Sequence, residues 1–327
     1  MSAAAGVSAA SFTAHRRSLF GLAYRMLGSA AEAEDVVQEA YLRAQAAREA
    51  PEAPGAYLAT IVTRLCLDVL KSARARRETY VGPWLPEPVP TGELLGGDGD
   101  AAEPLDARGV AESPAARMDR VESISMAFLV VLESLSPLER AALILRDVFD
   151  WEFDAIAAAL GRSPAACRQL VHRAREHVAA RQPRFRATEA ERTRLFGAFL
   201  EAAARGDAAA LAALLAEGAS ATPDSGGKAS SARRVLRGND RIARYFVGLW
   251  QKAVGARALT SARITSLNGG PALLIYEEER IVTAMGLDLS PAGIDAIWIV
   301  RNPDKLARLA SRLGSSRPLH ALPGARA

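Results

Sequence analysis

Charge is sorted along this chain into three consecutive blocks, and this order restricts the fold more than any other feature of the sequence. Residues 60–80 carry five basic side chains against two acidic ones. Residues 81–117 carry seven acidic side chains against two basic ones, and residues 162–194 carry nine arginines against three acidic side chains. Two cationic surfaces joined by an anionic tether suit a polyanion that is held at two points. The formal net charge of +4 is therefore the sum of opposed parts.

The length and composition fit a multidomain and mainly helical protein. The 327 residues leave room for two or three domains, and an aromatic content of 6% with many alanines favours helices. The Pro- and Gly-rich acidic residues 81–117 indicate a poorly structured linker. Beyond about residue 194, helical stretches and strand-like runs separated by turns predict a separate α+β domain. The helical stretches are 190–205, 207–217 and 239–253, and the strand-like runs are 258–267, 272–279, 280–289 and 294–301.

Apolar residues at spacings of three and four predict a helix through the first basic block. Leu58, Val62, Leu65 and Val69 define one face, which leaves polar side chains on the opposite side. An ordinary solvated helix face would explain these charges, but the basic run SARARRE at the end of the block favours a nucleic-acid contact. An earlier helix, predicted over residues 32–46, has acidic residues in its first turn, which suit the helix dipole.

The second basic block has the helix start and stop signals of a helix-turn-helix. Ser136 is placed to cap a helix, with Glu139 in capping-box position. A short helix over 153–160 stops at a glycine, and the Ser163-Pro164 pair starts another helix. An ordinary surface helix would account for the charges but not for these helix start and stop signals, so we favour DNA binding. The residues suited to base edges are Arg168, Gln169 and His172, and those suited to phosphates are Arg173, Arg175 and Arg181.

Three extended motifs, in order, resemble regions 2 and 4 of bacterial extracytoplasmic-function (ECF) sigma factors. They are LAYRMLGSAAEAEDVVQEAYLRA, GAYLATIVTRLCLDVLKSARARRE and the helix-turn-helix. YVGPWLPEP after region 2, and NPDKL at the end of the α+β domain, are similar to marks of the SigJ-like group, which carries a C-terminal SnoaL-like domain. A third motif of that group, usually Asp-Gly-Gly-Gly-Lys, has the form DSGGK over residues 224–228. Glycine alone adopts positive φ without strain, so Ser225 in place of the usual glycine predicts a different loop conformation if that position needs positive φ.

The resemblance implies a multidomain fold with two all-α sigma domains and a C-terminal α+β SnoaL/NTF2-like cone. It also implies promoter-specific transcription initiation with RNA polymerase core, bound through the clamp helices of the largest subunit and the flap region. We expect the acidic linker to thread the polymerase's basic nucleic-acid channel. The implied domains are region 2 over residues 10–80, the linker over 81–117, region 4 over 118–185, the SnoaL-like domain over 190–306 and a tail over 307–327.

The resemblance also assigns contact residues to each sigma region. A melted strand needs a cationic groove, whereas a duplex needs a helix in its major groove. The surface implied to bind core polymerase consists of Asp35, Val36, Gln38 and Glu39. The residues implied to bind the opened −10 strand are the loop 51–57 with Thr60, Arg64, Asp68, Lys71, Arg74, Arg76 and Arg77. The residues implied to bind the −35 duplex are Arg168, Gln169, His172, Arg173 and Arg175.

The C-terminal cone has two interpretations, an enzyme or a regulator. Ketosteroid isomerases and polyketide cyclases share the cone and need an acid-base residue inside it, for which Tyr245, Tyr276, Asp288 and Asp295 are candidates. None falls in a recognisable catalytic string, so we predict no catalytic residue, cofactor or metal. We expect a regulatory contact within the chain that replaces a separate anti-sigma factor, and an unidentified ligand in the cone stays open. The residues of this contact are Trp84, Leu85, Pro86, Glu87, Pro88, Asp224, Gly226, Gly227, Lys228, Asn302, Pro303, Asp304, Lys305 and Leu306.

Hydropathy and cysteine usage predict a cytoplasmic protein without membrane contact. The apolar run 127–132 is too short to cross a bilayer, and the first residues lack the apolar core of a signal peptide. Cys66 and Cys167 stand far apart among helix-forming residues, so we expect buried, reduced thiols. Two rival functions remain: a SnoaL-type cyclase or isomerase fused to a DNA-binding segment, and a plain helix-turn-helix repressor.

Overall fold

The structure is a computed structural model that describes residues 6–47, 49, 51–95, 123–181, 187–255, 261–277 and 279–313. These residues form two compact units. The helical unit draws on residues 1–79, 91–124 and 128–182, and the C-terminal unit draws on residues 80–90, 125–127 and 183–327. Two short segments from the sigma half of the sequence therefore belong to the C-terminal unit.

The first half of the helical unit is a bundle of three helices, α1 (Ala9–Leu27), α2 (Ala30–Gln45) and α3 (Pro54–Glu78), which pack against one another. Ser29 caps α2 by accepting a hydrogen bond from the backbone of Glu32. The helix predicted through the first basic block is confirmed, and it begins earlier than predicted because a proline is tolerated in a first helical turn. Its apolar face, with Leu58, Val62 and Cys66, is buried.

The second half contains the predicted helix-turn-helix. The helices of this half are α4 (Thr91–Leu95), α5 (Met126–Leu132), α6 (Pro137–Leu143) with a π-helical turn (Ile144–Val148), α7 (Phe153–Leu160) and α8 (Pro164–Arg181). The helix-turn-helix consists of α7 and α8. Ser136 and Glu139 form the predicted capping box at the start of α6. Gly161 ends α7 in the left-handed region at φ 63°, a conformation that costs glycine little. The buried face of α8 contains Cys167, Val171 and Ala174.

The C-terminal unit is a mixed six-stranded sheet with helices, which confirms the predicted α+β class. The strands run in the order β2-β1-β6-β5-β4-β3, and only the β1–β6 pair is parallel among the described strands. The helices are α9 (Glu189–Arg205), α10 (Ala208–Leu214), α11 (Asn239–Gly255) and α12 (Pro303–Leu313). The strands are β1 (Leu215–Asp224), β2 (Leu236–Arg237), β3 (Ser261–Leu267), β4 (Gly270–Glu277), β5 (Arg280–Ser290) and β6 (Gly293–Val300).

Each face of the sheet has its own hydrophobic core, because side chains alternate along a strand. One core contains Leu273, Met285 and Ile299 with side chains of α9 and α11. The other contains Leu274 and Trp298 with side chains of α12, and it also takes in Leu85 and Met126 from the two short upstream segments.

Three expectations need correction. The helix predicted over 207–217 ends at Leu214, because the chain then enters β1 and pairs with the interior strand β6. The helix α12 was not predicted. The linker predicted to be poorly structured is ordered over residues 81–95, since Leu85 and Val89 are buried and α4 follows them. Residues 96–117 of that linker lie outside the described residues.

Both cysteines are buried and form no disulfide, as predicted. Burial raises the pKa of the Cys66 thiol far above its usual range, so this thiol stays protonated. None of the helices within the described part of the chain is long and apolar enough to cross a membrane.

Candidate functional site

The surface predicted to bind polymerase lies on α2. Asp35 and Gln38 are exposed, and Glu39 pairs with Arg43 across one helical turn at 2.7 Å between Oε1 and Nε. Val36 is only 5% exposed and belongs to the buried face of the helix with Val37. The assignment of Val36 to a docking surface is therefore wrong, because its side chain packs inside the helical unit.

The face of α3 predicted to bind the −10 strand is partly occupied by other groups of the helical unit. Asp68 and Lys71 are exposed and pair with each other at 2.8 Å. Arg64 reaches the last turn of α7, where its Nε and Nη2 each donate a hydrogen bond of 3.0 Å to the carbonyls of Ala159 and Ala158. A cation suits these carbonyls, because a helix C-terminus carries partial negative charge.

Two parts of the predicted −10 surface differ from the prediction. Thr60 is half-buried and donates its hydroxyl hydrogen to the carbonyl of Ala56 at 2.9 Å. The predicted loop 51–57 is already helical from Pro54 onward. The side chains of Arg74, Arg76 and Arg77 lie outside the described residues.

The outer face of α8 carries the residues predicted to read bases. Arg168, Gln169 and His172 are all exposed. The guanidinium of Arg168 stands 5.2 Å from the centre of the Phe153 ring, and His172 Nε2 lies 3.6 Å from a carboxylate oxygen of Glu176. All three side chains lie on the surface, where they are accessible to a groove of DNA.

The two arginines of α8 predicted to bind phosphates are paired with carboxylates of preceding elements. Arg173 Nε lies 2.9 Å from Glu139, and Arg175 Nη2 lies 2.6 Å from Asp147. Burial alone would raise the pKa of Glu139, but hydrogen bonds from Ser136 and Arg173 lower it overall. Both arginines remain more than half exposed, so an exchange of the carboxylate for a phosphate is open to them.

The three motifs of the predicted regulatory contact come together within the C-terminal unit. Their centre is Asp224, which is 0% exposed at the end of β1. One carboxylate oxygen accepts a hydrogen bond from the Tyr80 hydroxyl, and the other accepts from the Leu85 N–H at 2.8 Å and from Lys305 Nζ at 2.7 Å. We call Tyr80, Leu85, Asp224, Asn302 and Lys305 the linker clasp.

The clasp is closed further by Asn302 and Lys305. Asn302 Nδ2 donates to the Tyr80 oxygen at 2.8 Å. The Lys305 ammonium also donates to the Leu85 carbonyl and stands 4.2 Å from the centre of the Trp84 ring. Burial and the hydrogen bond to Asp224 raise the pKa of Tyr80 well above its usual range, so Tyr80 remains a donor.

The DSGGK loop needs its glycines because the linker passes close to it. Gly226 and Gly227 have φ of 56° and 74°. A Cβ on Gly226 would stand 2.6 Å from Asn302 Nδ2, and one on Gly227 would stand 3.1 Å from Val81. Ser225 is not among the described residues at positive φ, so serine is accommodated there.

The remaining motif residues surround the clasp. Lys228 pairs with Asp304 on the surface. Leu306 is buried in the core that also contains Leu85. Pro86, Glu87 and Pro88 are buried, whereas Pro303 is exposed.

A second contact, which the sequence did not predict, fixes the end of the same segment. Val89 and Asn268 are joined by two hydrogen bonds of 3.0 Å, one from the Val89 N–H to the Asn268 side chain and one from the Asn268 N–H to the Val89 carbonyl. Asn268 adopts φ 49°, and the Asn-Gly-Gly turn was its only sequence signal.

The start of α5, which follows the linker in the chain, also belongs to the C-terminal unit. Met126 is 1% exposed and lies in the hydrophobic core between the sheet and α12. The Ala127 N–H donates to the carboxylate of Asp288. Burial raises the pKa of Asp288 to about 6, although the charge of Arg192 and this hydrogen bond act in the opposite direction.

The four candidate acid-base residues do not converge. Tyr245 lines a cavity between the sheet and α11, whereas Tyr276 is buried in the core on the opposite face. Asp288 and Asp295, both described, are not among the residues that line the cavity. Within the described ranges, no cluster of His, Cys, Asp or Glu is arranged to hold a metal ion.

Comparisons with known proteins agree with this architecture. The family model for Sigma-70 region 2 matches residues 12–76, and the model for Sigma-70, region 4 matches residues 125–178. The chain is 38% identical over 302 residues to the ECF RNA polymerase sigma factor SigJ of Mycobacterium tuberculosis, covering 90% of this chain and 91% of that protein. It is 31% identical over 308 residues to a probable ECF RNA polymerase sigma factor, SigI, of the same species, covering 93% and 97%.

A solved structure extends the similarity to the whole fold. The crystal structure of the Mycobacterium tuberculosis ECF sigma factor SigJ matches with a TM-score of 0.69 at 33% identity, covering 92% of this chain and 98% of that one. The C-terminal α+β domain is therefore part of the shared architecture. With both sigma regions and a full-length relative in agreement, the chain belongs to the ECF RNA polymerase sigma factors, which direct RNA polymerase to promoters and initiate transcription.

Proposed function

We propose that the C-terminal domain controls this sigma factor in cis by holding the start of the linker and the start of α5, which follows the linker in the chain. The observation that carries the proposal is the linker clasp, where a buried Asp224–Lys305 pair binds the Tyr80–Leu85 segment. The second hold is at Met126 and Ala127. The linker cannot extend fully along a polymerase channel until these contacts break.

The chemistry of the clasp suits a contact that opens and closes. A buried ion pair contributes specificity more than net stability, because desolvation offsets much of the Coulomb attraction. Core polymerase shifts such an equilibrium only if it binds the released linker better than the held one. The clasp thus takes the place of a separate anti-sigma factor, and its opening sets the fraction of competent protein.

The exposure of Asp35, Gln38, Asp68 and Lys71 supports the proposed polymerase and DNA surfaces in part. Asp35, Gln38 and Glu39 are proposed to dock on the clamp helices of the largest subunit. Asp68 and Lys71, with Thr60, Arg64, Arg74, Arg76 and Arg77, are proposed to bind the opened −10 strand. For this, Arg64 must give up the carbonyls at the end of α7, so −10 binding competes with a contact inside the helical unit.

On α8, Arg168, Gln169 and His172 are proposed to read bases of the −35 duplex, with Arg173 and Arg175 on phosphates. The flap region of polymerase is the proposed second docking point for region 4. Because Arg173 and Arg175 each leave a carboxylate for a phosphate, the net energy of those contacts is small and the base contacts decide specificity.

The part of the linker between the two holds is proposed to thread the basic nucleic-acid channel of the polymerase. Residues 96–117 carry five carboxylates, Asp98, Asp100, Glu103, Asp106 and Glu112. Replacing all five by amides should weaken binding to core polymerase, with a smaller salt dependence. Unchanged affinity and unchanged start-site use would show that their charge has no role.

The experiment that tests the proposed function is in vitro transcription with purified core polymerase and promoter DNA. The full chain is compared with a chain that lacks residues 192–327. Initiation that requires the protein excludes the repressor and the cyclase or isomerase as its main function. A truncated chain with markedly higher transcript yield supports cis control, and equal yields from the two chains would disprove it.

A further inference from the structure

A cavity of about 510 Å³ lies between the sheet of the C-terminal domain and the helices α9 and α11. Volumes of this size are typical of sites for small molecules. Aromatic side chains dominate one wall. Phe246 makes edge-to-face contacts with Phe199 and Tyr245, with ring centres 5.1 and 5.6 Å apart, and Trp250 lines the same space.

Another part of the cavity lining is polar and electropositive. It is formed by Ser230, Ser231 and Arg301, which follows β6. Arg301 Nη1 donates to the Ser230 carbonyl. Among the described residues, neither the buried Arg301 Nε nor the buried Ser231 Oγ has a hydrogen-bond partner.

The charge of Arg301 is also without a local counter-ion. The structure gives it no carboxylate partner within the described part of the chain. Its positive charge acts on Tyr245, where it partly offsets the rise in pKa that burial causes. Lys252 and Glu277 also line the cavity, but both are exposed, so water screens them.

We propose that this cavity binds a small aromatic carboxylic acid. Its ring packs among Phe199, Tyr245, Phe246 and Trp250, because aromatic side chains favour offset and edge-to-face contacts with a ring. Its carboxylate pairs with Arg301, whose planar guanidinium matches a carboxylate in two parallel hydrogen bonds. Ser231 adds a third donor. Unsatisfied buried donors cost free energy, and the carboxylate removes that cost.

The inference is independent of transcription control, because binding is measured on the protein alone. The probe is 1-naphthoic acid, and the matched neutral ligand is 1-naphthamide, which keeps the ring and loses the charge. Isothermal titration of the full chain should give the acid a Kd of about 100 µM or lower, and about tenfold higher affinity than the amide. Quenching of tryptophan fluorescence should follow the same isotherm, and it should be smaller in Trp250→Phe, because Trp250 lines the cavity.

Variants identify the cationic end. Arg301→Gln should weaken the acid about tenfold and leave the amide unchanged, whereas Arg280→Gln, an exposed arginine outside the cavity, should change neither. Ser231→Ala keeps the Arg301–Ser230 bond and should weaken the acid about threefold, so it serves if Arg301→Gln fails to fold. Equal affinity for acid and amide, absence of acid binding at ~1 mM, or an acid affinity untouched by both variants would overturn the proposal.

Discussion

Removing the Lys305 ammonium tests whether the linker clasp holds the segment before α4. In Lys305→Met the side chain keeps its length, but the Asp224 carboxylate stays buried with two remaining donors, the Tyr80 hydroxyl and the Leu85 N–H. The side chains of the pair are 8% and 0% exposed, so water cannot replace the lost cation. Breaking a buried pair from one side typically costs about 3–5 kcal/mol, and the two surviving donors place this case near about 3 kcal/mol.

The assay is native-state amide exchange at Leu85 and Val89, read by mass spectrometry or NMR. If local opening of the clasp governs exchange there, a loss of about 3 kcal/mol accelerates it roughly 100-fold. Amides in the middle of α3 should exchange at the wild-type rate, because they belong to the helical unit. Lys252→Met, at an exposed lysine of α11, is the matched control.

A double-mutant cycle separates the pair from the rest of the clasp. Asp224→Asn removes the charge that Lys305 faces and keeps one acceptor oxygen, so it also loses one of the two hydrogen bonds from Tyr80 and Leu85. The combined variant should therefore lose less than the sum of the two single losses. Less than about threefold acceleration in Lys305→Met, or strict additivity in the cycle, would refute the reasoning.

Three further predictions follow from single sites. Gly227→Ala should destabilise the C-terminal domain by about 1–2 kcal/mol in chemical denaturation, because alanine is strained at φ 74° and crowds Val81, whereas Gly248→Ala inside α11 meets nothing and should be neutral or stabilising. Asp288→Asn should raise thermal stability at pH 7 by on the order of 1 kcal/mol and leave it unchanged near pH 4. Burial raises the pKa of Asp288 in the folded protein to about 6, above its ordinary value of 3.8. Between these two values the folded protein binds more protons than the unfolded protein, so it loses stability as the pH rises through them. A difference between wild type and variant that persists at pH 4 would contradict this. Arg168→Ala should weaken promoter binding by the reconstituted holoenzyme by about 1–3 kcal/mol and relax its preference within the −35 site, while Arg162→Ala, exposed at the turn before α8, should not alter sequence preference.

Local signals were sufficient for the helix-turn-helix. Three local features define its helix ends: the Ser136–Glu139 capping box, the glycine at the end of α7 and the Ser163-Pro164 start of α8. Each acts within a few residues, so each can be recognised from the neighbouring sequence. The helices α2 and α3 were predictable for the same reason, because apolar residues recur along each of them, whereas α1 was implied only by the family resemblance.

The miss at β1 has a non-local cause, whereas the miss at Val36 has a local one. The strand β1 has alanines where β-branched residues are usual, and its extended form depends on pairing with β6, far along the chain. Val36 was assigned to the surface although the apolar stripe of α2 includes it.

The clasp is the clearest case of a non-local cause. The three motifs were identified from resemblance and predicted to form a regulatory contact within the chain, although charged residues are seldom buried. Asp224 and Lys305 are nevertheless buried, since each satisfies the other and the linker backbone supplies the remaining partners. Asp224 is 81 positions from Lys305 and 139 from Leu85, so local periodicity in the sequence cannot predict these contacts.

The most direct test of cis control is promoter-dependent transcription by the full chain with a single clasp substitution. Wild type, Lys305→Met and the control Lys252→Met are compared at limiting core polymerase and equal sigma concentration, with equal folded fractions verified by circular dichroism. The account predicts a several-fold higher transcript yield for Lys305→Met and wild-type yield for Lys252→Met. Equal yields from all three, with amide exchange showing that the clasp has opened in Lys305→Met, would contradict it.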